Sequence, residues 1–280
     1  MYIFPLISQL TTPHVTTLHS IFPFDRDARS GRIGDADRYY MDWAPSLPIV
    51  AISESSRQSI HYPLNFVGVV HHGIYLQDFQ PSKRRMGDYF AWLGRFVPEK
   101  GAHLAIEAAK RTHVPLILAG VIDRHSKASM EYFENVIKPL VGTEQITYIG
   151  PVNTSQKNNL FGRARGFLNP IEWEEPFGMV MIEAMALGCP VISFARGAAP
   201  EIMTDGETGY LVNTLDEMVS AISKIDAIDR GMVRKHVELN FSSRVMATKY
   251  IEIYKKVIGM QKQNVSELET LSESRTLNPV

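Results

Sequence analysis

The chain has 280 residues, of which 45% are hydrophobic, and its formal net charge is −1. This length predicts two domains, and the balanced charge provides no overall field that would attract nucleic acid. Residues 1–10 lack the basic start and cleavage site of a signal peptide, and no apolar run reaches the roughly 18 residues of a membrane span. The single cysteine, Cys189, leaves no partner for an internal disulfide, which is typical of a reducing compartment. We therefore expect a cytoplasmic protein.

The first region predicts strands at 14–18, 48–52 and 66–70, with a helix that begins after Ser53 and ends near residue 61. Three strands with intervening helices are half of a doubly wound α/β domain, so we expect this N-terminal domain, assigned to residues 1–80, to be incomplete. Its unpaired sheet edge predicts either association with another chain or partial disorder of residues 1–70.

A regular alternation of strands and helices follows from residue 89. The predicted strands are 89–93, 115–119, 146–149, 166–168, 191–194 and 210–212, and the predicted helices are 102–111, 155–163, 176–187, 198–203, 215–225 and 241–260. This alternation predicts a parallel sheet covered by helices on both faces. We assign residues 81–240 to a C-terminal domain, 241–260 to a final helix, and the polar residues 261–280 to a disordered tail.

Two glutamates lie around the start of the predicted helix 176–187. Glu183 is the only charge in an otherwise apolar helix, so its carboxylate needs a partner that the sequence does not supply. Glu175 precedes the helix, where the free backbone N–H groups of Phe177, Gly178 and Met179 favour an anion. Together these groups can bind a ligand that carries hydroxyls and phosphates. Two alternatives are that Glu175 only complements the helix dipole and that Glu183 is a solvated helix position.

The spacing Glu-x7-Glu, with Pro-Phe-Gly inside it and Glu-Ala-Met-Ala-Leu-Gly-Cys-Pro after it, closely resembles the retaining glycosyltransferases of family 4. The resemblance covers about residues 15–254 and implies the GT-B fold, in which two Rossmann-like doubly wound domains with parallel sheets face each other. It implies that the last helix crosses back to the N-terminal domain. It also implies that Phe177, Gly178 and Met179 hold the sugar and phosphates of a nucleotide sugar through main-chain N–H groups.

Other residues resemble the donor-binding positions of the same family. Arg95 and Lys100, in Gly-Arg-Phe-Val-Pro-Glu-Lys-Gly, resemble its phosphate-binding element, and two cations there would stabilise the charge that develops on the leaving nucleotide. Gly150 and Val152 follow a predicted strand at the place where the family contacts the nucleobase. His19, at the end of another strand, resembles the histidine that reaches over the donor sugar, although a histidine in that place is often structural.

We predict no metal site and no separate cofactor. The pairs Asp25/Asp27 and Asp35/Asp37 each spell Asp-x-Asp, the metal-binding pattern of the other main glycosyltransferase fold. Such tripeptides arise by chance in an Asp-rich loop, and Arg95 and Lys100 already supply positive charge.

The sequence therefore predicts a retaining glycosyltransferase that moves a hexosyl group from a nucleotide-diphosphate sugar to an acceptor hydroxyl. The catalytic residues implied by the resemblance are His19, Arg95, Lys100 and Glu175, and Glu183 is expected to bind the ribose. The alternatives are a related hydrolase or epimerase and an inactive nucleotide-sugar-binding remnant. A small molecule, a glycan or a lipid-linked sugar all remain open as acceptor. With an incomplete N-terminal domain, we expect nucleotide binding with weak or absent transfer. The balanced charge predicts no nucleic-acid partner.

Overall fold

The computed structural model describes residues 4–7, 9–20, 43–60, 62–81 and 87–276. The strands are β1 (Thr16–Leu18), β2 (Ile49–Ala51), β3 (Phe66–Val69), β4 (Phe90–Leu93), β5 (Leu116–Ala119), β6 (Ile146–Tyr148), β7 (Phe167–Asn169), β8 (Val191–Phe194) and β9 (Gly209–Val212). The α-helices are α1 (Phe4–Ile7), α2 (Glu54–Gln58), α3 (Ala102–Thr112), α4 (Lys127–Tyr132), α5 (Thr154–Arg163), α6 (Met179–Ala186), α7 (Ala199–Ile202), α8 (Leu215–Ile222), α9 (Arg230–Asn240) and α10 (Ser243–Thr276). Within these residues no helix is both long enough and apolar enough to cross a membrane.

The chain divides into two compact units. The first contains Met1–His71 and Met246–Val280, and the second contains His72–Val245. The boundary between them lies at 71/72 rather than at the predicted 80/81, and most of the final helix belongs to the first unit.

The first unit has a parallel sheet in the order β1-β2-β3. Helix α10 packs on it through Met246, Tyr250, Ile253 and Val257, which contact a cluster formed by Val50, Val67 and Val70. The four helix residues recur at helical spacing and share one face. The Tyr250 hydroxyl lies 2.8 Å from Thr17 Oγ1, and Lys256 Nζ donates to the Val67 carbonyl at 2.7 Å. These contacts join the helix to the sheet.

The second unit has a parallel sheet in the order β6-β5-β4-β7-β8-β9. The parallel sheets confirm the predicted α/β class. From β4 the strand order runs outward through β5 and β6, then returns to β7 on the other side of β4 and runs outward again. Ligands of open parallel sheets bind at such a switch point, beyond the carboxyl ends of the two central strands. The loops that follow β4 and β7 are therefore the ones that can form a site.

Helix α6 is shorter at its start than the sequence predicts. It begins at Met179 rather than Pro176, because Gly178 has φ +97° and cannot be part of a right-handed helix. Its end is as predicted: Gly188 has φ +73°, and its N–H donates to the Met185 carbonyl at 2.8 Å. Cys189, directly after this stop, is buried, and burial raises the pKa of its thiol to about 12 although Arg230 opposes the shift.

Three further features differ from the sequence-based predictions. Helices α4 and α9 were not predicted; α9 begins after Asp229, whose carboxylate accepts from the N–H groups of Gly231 and Met232. The predicted disordered tail is helical up to Thr276, because its Gln, Glu, Ser and Lys residues are compatible with a helix and no glycine or proline interrupts it before Pro279.

Candidate donor-binding site

Two loops meet at the switch point of the second unit. The first follows β4 and contains Arg95 and Lys100, and the second follows β7 and leads through Glu175 into α6. Strands β4 and β7 are hydrogen-bonded neighbours, so both loops leave the same edge of the sheet at adjacent places. Lys100 and Glu175 are thereby brought together from distant parts of the sequence, and Arg95 lies on the same loop as Lys100.

The carboxylate of Glu175 is held by two donors on one oxygen. Lys100 Nζ forms an ion pair with Oε2, and Trp173 Nε1 donates to the same Oε2 at 3.1 Å. Lys100 Nζ also lies 5.4 Å from the centre of the Trp173 ring, where a cation is attracted to the π-face. The other carboxylate oxygen, Oε1, accepts no hydrogen bond from the residues that the structure describes. Glu175 is therefore oriented, and one of its oxygens remains available to a ligand.

Glycines on both sides let other loops approach the Glu175 loop closely. Gly101 has φ +69°, and a Cβ there would lie 1.9 Å from the Pro170 carbonyl oxygen. Gly197 has φ +56°, and its Cβ would lie 2.4 Å from the backbone N and O of Glu175. The Ala198 N–H donates to the Glu175 carbonyl at 3.0 Å. The shape of this loop therefore depends on backbone contacts that side chains larger than hydrogen would prevent.

A hydrogen-bonded pair supports the turn that carries Lys100. Burial raises the pKa of Tyr132 to about 12, further above neutral pH than its ordinary value, so the hydroxyl is available as both donor and acceptor. The hydroxyl lies 2.9 Å from His103 Nδ1 and accepts from the His103 backbone N–H at 3.2 Å. His103 follows directly after Gly101 and Ala102, so this bond anchors the first turn of α3 behind the lysine.

Glu183 has the partner that the sequence did not identify. Lys157 Nζ, from α5, lies 2.6 Å from Glu183 Oε1, and the two side chains are 17% and 15% exposed. The same ammonium lies 5.6 Å from the centre of the Phe79 ring. Glu183 is therefore a largely buried and paired carboxylate rather than a solvated helix position.

The remaining predicted residues of the second unit differ in their exposure and in their contacts. Arg95 is exposed, and its side chain makes no ion pair with any residue in the described ranges. Gly150, with φ +79°, accepts the Gly120 N–H at 3.0 Å, and Val152 is half-buried. Phe177 is buried, its ring centre 5.0 Å from that of His72, while Met179 is exposed at the start of α6.

His19 and the acidic pairs are not part of the second unit as the structure describes it. His19 is exposed and follows β1 in the first unit, whereas the other predicted residues are in the second. Asp25, Asp27, Asp35 and Asp37 lie outside the described residues. Elsewhere in the chain, as far as the structure describes it, no three His, Cys, Asp or Glu side chains form a group that could hold a metal ion.

Sequence reasoning missed two residues of this site. Trp173 lies within the stretch that carries Glu175, and an aromatic residue two positions before a candidate ligand-binding carboxylate was the available signal. Lys157 is the fourth residue of α5, where a cation is close to the positive end of the helix dipole. A lysine in that unfavourable position indicates that it has an acidic partner, although it does not identify Glu183 as that partner.

Comparisons with known proteins identify the family and the fold of this chain. Residues 76–229, more than half of the chain, match the family model described as glycosyl transferases group 1. The chain is 27% identical over 215 residues to a D-inositol 3-phosphate glycosyltransferase of Mycobacterium leprae, an alignment that covers 69% of this chain and 50% of the relative. The chain thus spans about half the length of the curated relatives it matches.

Solved structures show the same fold. Sucrose-phosphate synthase from Thermosynechococcus elongatus superposes with a TM-score of 0.73 at 20% identity, covering 92% of this chain and 71% of that one. The Anabaena protein Alr3699/HepE, solved in complex with UDP and glucose, superposes with a TM-score of 0.65 at 18% identity, over 92% and 71% of the two chains. At these identities the likeness establishes the fold, which is that of GT-B glycosyltransferases.

Proposed function

The chain belongs to the glycosyl transferases group 1 family, and we propose that it transfers a sugar from a nucleotide-diphosphate donor to an acceptor hydroxyl with retention of configuration. The observation that carries this proposal is the pair of glutamates on either side of the α6 N-terminus: in each, a lysine binds one carboxylate oxygen and no described residue donates to the other. Such a pair can accept hydrogen bonds from two sets of hydroxyls while the helix start faces an anion.

Each residue has a role in this proposal. Arg95 and Lys100 contact the diphosphate, and the main-chain N–H groups of Phe177, Gly178 and Met179 contact the phosphate and sugar. Glu175 accepts from the sugar hydroxyls through Oε1, and Glu183 accepts from the ribose. Gly150 and Val152 contact the base through the main chain, and His19 is assigned to the donor sugar. The resemblance to family 4 supports these assignments.

The proposed reaction is a same-face displacement. The bond between the anomeric carbon and the phosphate oxygen breaks, and the acceptor oxygen forms a bond to that carbon from the same face. The departing phosphate accepts the proton of the acceptor hydroxyl. Arg95 and Lys100 stabilise the negative charge that develops on the phosphate, and such preorganised cations contribute strongly in a site with little water.

We further propose that transfer needs no metal ion, because Arg95, Lys100 and the helix N-terminus stabilise the negative charge on the leaving phosphate. Addition of EDTA to the purified protein should leave the rate of transfer unchanged. A rate that EDTA abolishes and Mg²⁺ or Mn²⁺ restores would refute this proposal.

Ligand-dependent thermal unfolding tests the proposed donor. UDP, GDP, ADP and their glucose conjugates are screened separately, starting with UDP because the Anabaena protein is solved with it. A ligand present at 100 times its Kd stabilises a folded protein by about 2.7 kcal/mol, a shift that is readily measured. We expect one nucleotide series to stabilise the chain and the others not. If no nucleotide or nucleotide sugar raises the Tm, the proposed function is wrong.

A further inference from the structure

Lys157 occupies a position that local electrostatics disfavours. It is the fourth residue of α5, a helix that begins after the capping residue Asn153, and cations are destabilised near that end of a helix. Its side chain is also largely buried, which is costly for an ammonium without a partner. The position is tolerated because Glu183 and the ring of Phe79 face the ammonium. Buried ion pairs contribute little net stability. A buried ammonium near a helix N-terminus is therefore more consistent with a role in the site than with a role in stabilising the fold.

The pair has a specific geometry. Lys157 Nζ contacts Glu183 Oε1 at 2.6 Å, whereas Glu183 Oε2 accepts no hydrogen bond from the described residues. A single donor on Oε1 fixes the rotation of the carboxylate. Oε2 is then presented in one orientation as a charged acceptor.

We propose that Lys157 is a positioning residue that determines selectivity for ribose, an inference that rests on the proposed function. Lys157 holds the Glu183 carboxylate in one orientation, so that Oε2 accepts from a ribose hydroxyl of the nucleotide. Hydrogen bonds to a charged acceptor are about twice as strong as neutral ones, and they are lost when the hydroxyl is absent. The protein therefore prefers a nucleotide with ribose hydroxyls, and the preference depends on Lys157.

The selectivity is measured as a ratio of dissociation constants. Isothermal titration calorimetry compares UDP with 2′,3′-dideoxy-UDP, and the GDP and ADP pairs are run in parallel. For the nucleotide that binds, we expect the wild-type protein to bind the dideoxy form about tenfold or more weakly, the range of a charged hydrogen bond. In Lys157→Met the ratio should fall to within about threefold, because UDP loses affinity and the dideoxy form does not. Lys157→Arg should retain most of the ratio, since a guanidinium can occupy the same carboxylate oxygen.

Lys138→Met is the matched control. Lys138 pairs with Glu134 at 2.5 Å on an exposed helix surface, where both side chains are more than half exposed. Removing it deletes a lysine from an ion pair without touching the site, and the ratio should stay at its wild-type value. If circular dichroism shows that Lys157→Met does not fold, Lys157→Gln replaces it in the calorimetry. Glutamine retains a hydrogen-bond donor but not the positive charge.

The outcomes separate the two proposals. Failure of UDP, GDP and ADP to bind the wild-type protein overturns the proposed function and this inference with it. Binding with an unchanged ratio in the Lys157 variants overturns only the role of Lys157. Equal weakening of the ribose and dideoxy forms overturns it as well, because it would mean that Lys157 supports the fold rather than the ribose contact.

Discussion

Glu175 and Glu183 are held in different ways although only eight positions separate them. Glu175 lies on an irregular loop, and its Oε2 is bound by Lys100 and Trp173. Glu183 lies within α6, and its Oε1 is bound by Lys157 of a neighbouring helix. Each carboxylate therefore has one occupied oxygen and one that the described residues leave unoccupied.

The difference lies in what fixes the backbone. Around Glu183 the chain is a helix whose limits are set locally, by the left-handed glycines Gly178 and Gly188. Around Glu175 the chain has no repeating hydrogen bonds, and its path is set by Gly101 and Gly197, which bring other loops against it. The loop carboxylate should therefore be sensitive to remote backbone changes, and the helix carboxylate should be sensitive mainly to its own side-chain partner.

Gly197→Ala should have the largest effect. The new Cβ would lie 2.4 Å from backbone atoms of Glu175, which cannot move without breaking the bond from Ala198, and the left-handed φ adds strain. We expect the free energy of unfolding, measured by urea denaturation, to fall by about 3 kcal/mol.

Gly206→Ala separates strain from contact. Gly206 has a similar backbone angle, φ +76°, but a Cβ there meets nothing within 4 Å. Its loss should be only about 1 kcal/mol, the cost of the left-handed conformation. Equal losses in the two variants would mean that the close approach to Glu175 does not hold the loop.

The glutamates themselves should differ in which ligand they affect. Glu183→Ala should weaken free nucleotide and nucleotide sugar alike, because both carry the ribose. Glu175→Ala should weaken only the nucleotide sugar, because Oε1 is assigned to the sugar hydroxyls. For the affected ligands we expect a loss of about 2 kcal/mol in binding, measured by calorimetry.

The internal control of this experiment is the binding of free nucleotide by Glu175→Ala, which should be unchanged. If Glu175→Ala and Glu183→Ala reduce the affinity for free nucleotide equally, the division of the two carboxylates between sugar and ribose is wrong.

Local features of this site were predictable, and its tertiary partners were not. The end of α6 follows from Gly188 and Pro190, and the parallel sheet follows from the alternation of apolar strands with helices. The start of α6 was misplaced because Pro176 suits a first helical position, whereas the left-handed Gly178 decides it. Lys157 could not be matched to Glu183, because the pair forms only when α5 packs beside α6.

Helix α9 was missed for a related reason. Among its residues Val233 and Val237 are buried, while Gly231 and several charged residues weaken the apolar pattern. Packing against the rest of the unit stabilises it: the Arg230 guanidinium donates to the Ala164 carbonyl at 3.0 Å, and Arg234 donates to the Ala186 carbonyl at the end of α6 at 2.5 Å. Neither contact leaves a pattern that can be seen in the sequence.

Trp173→Phe should have the smallest effect and tests the loop carboxylate most directly. The change removes the N–H that donates to Glu175 Oε2 and keeps an aromatic ring near Lys100. Because Lys100 still binds the same oxygen, the carboxylate loses only one of its two orienting contacts. We expect nucleotide-sugar binding to weaken by about 1 kcal/mol, roughly fivefold, with free nucleotide unaffected. In a Glu175→Ala background the same substitution should have no effect, since the acceptor of the N–H is gone. If Trp173→Phe weakens nucleotide-sugar binding as much in that background as alone, Trp173 acts on the ligand by a route other than Glu175, and the loop carboxylate is oriented by Lys100 alone.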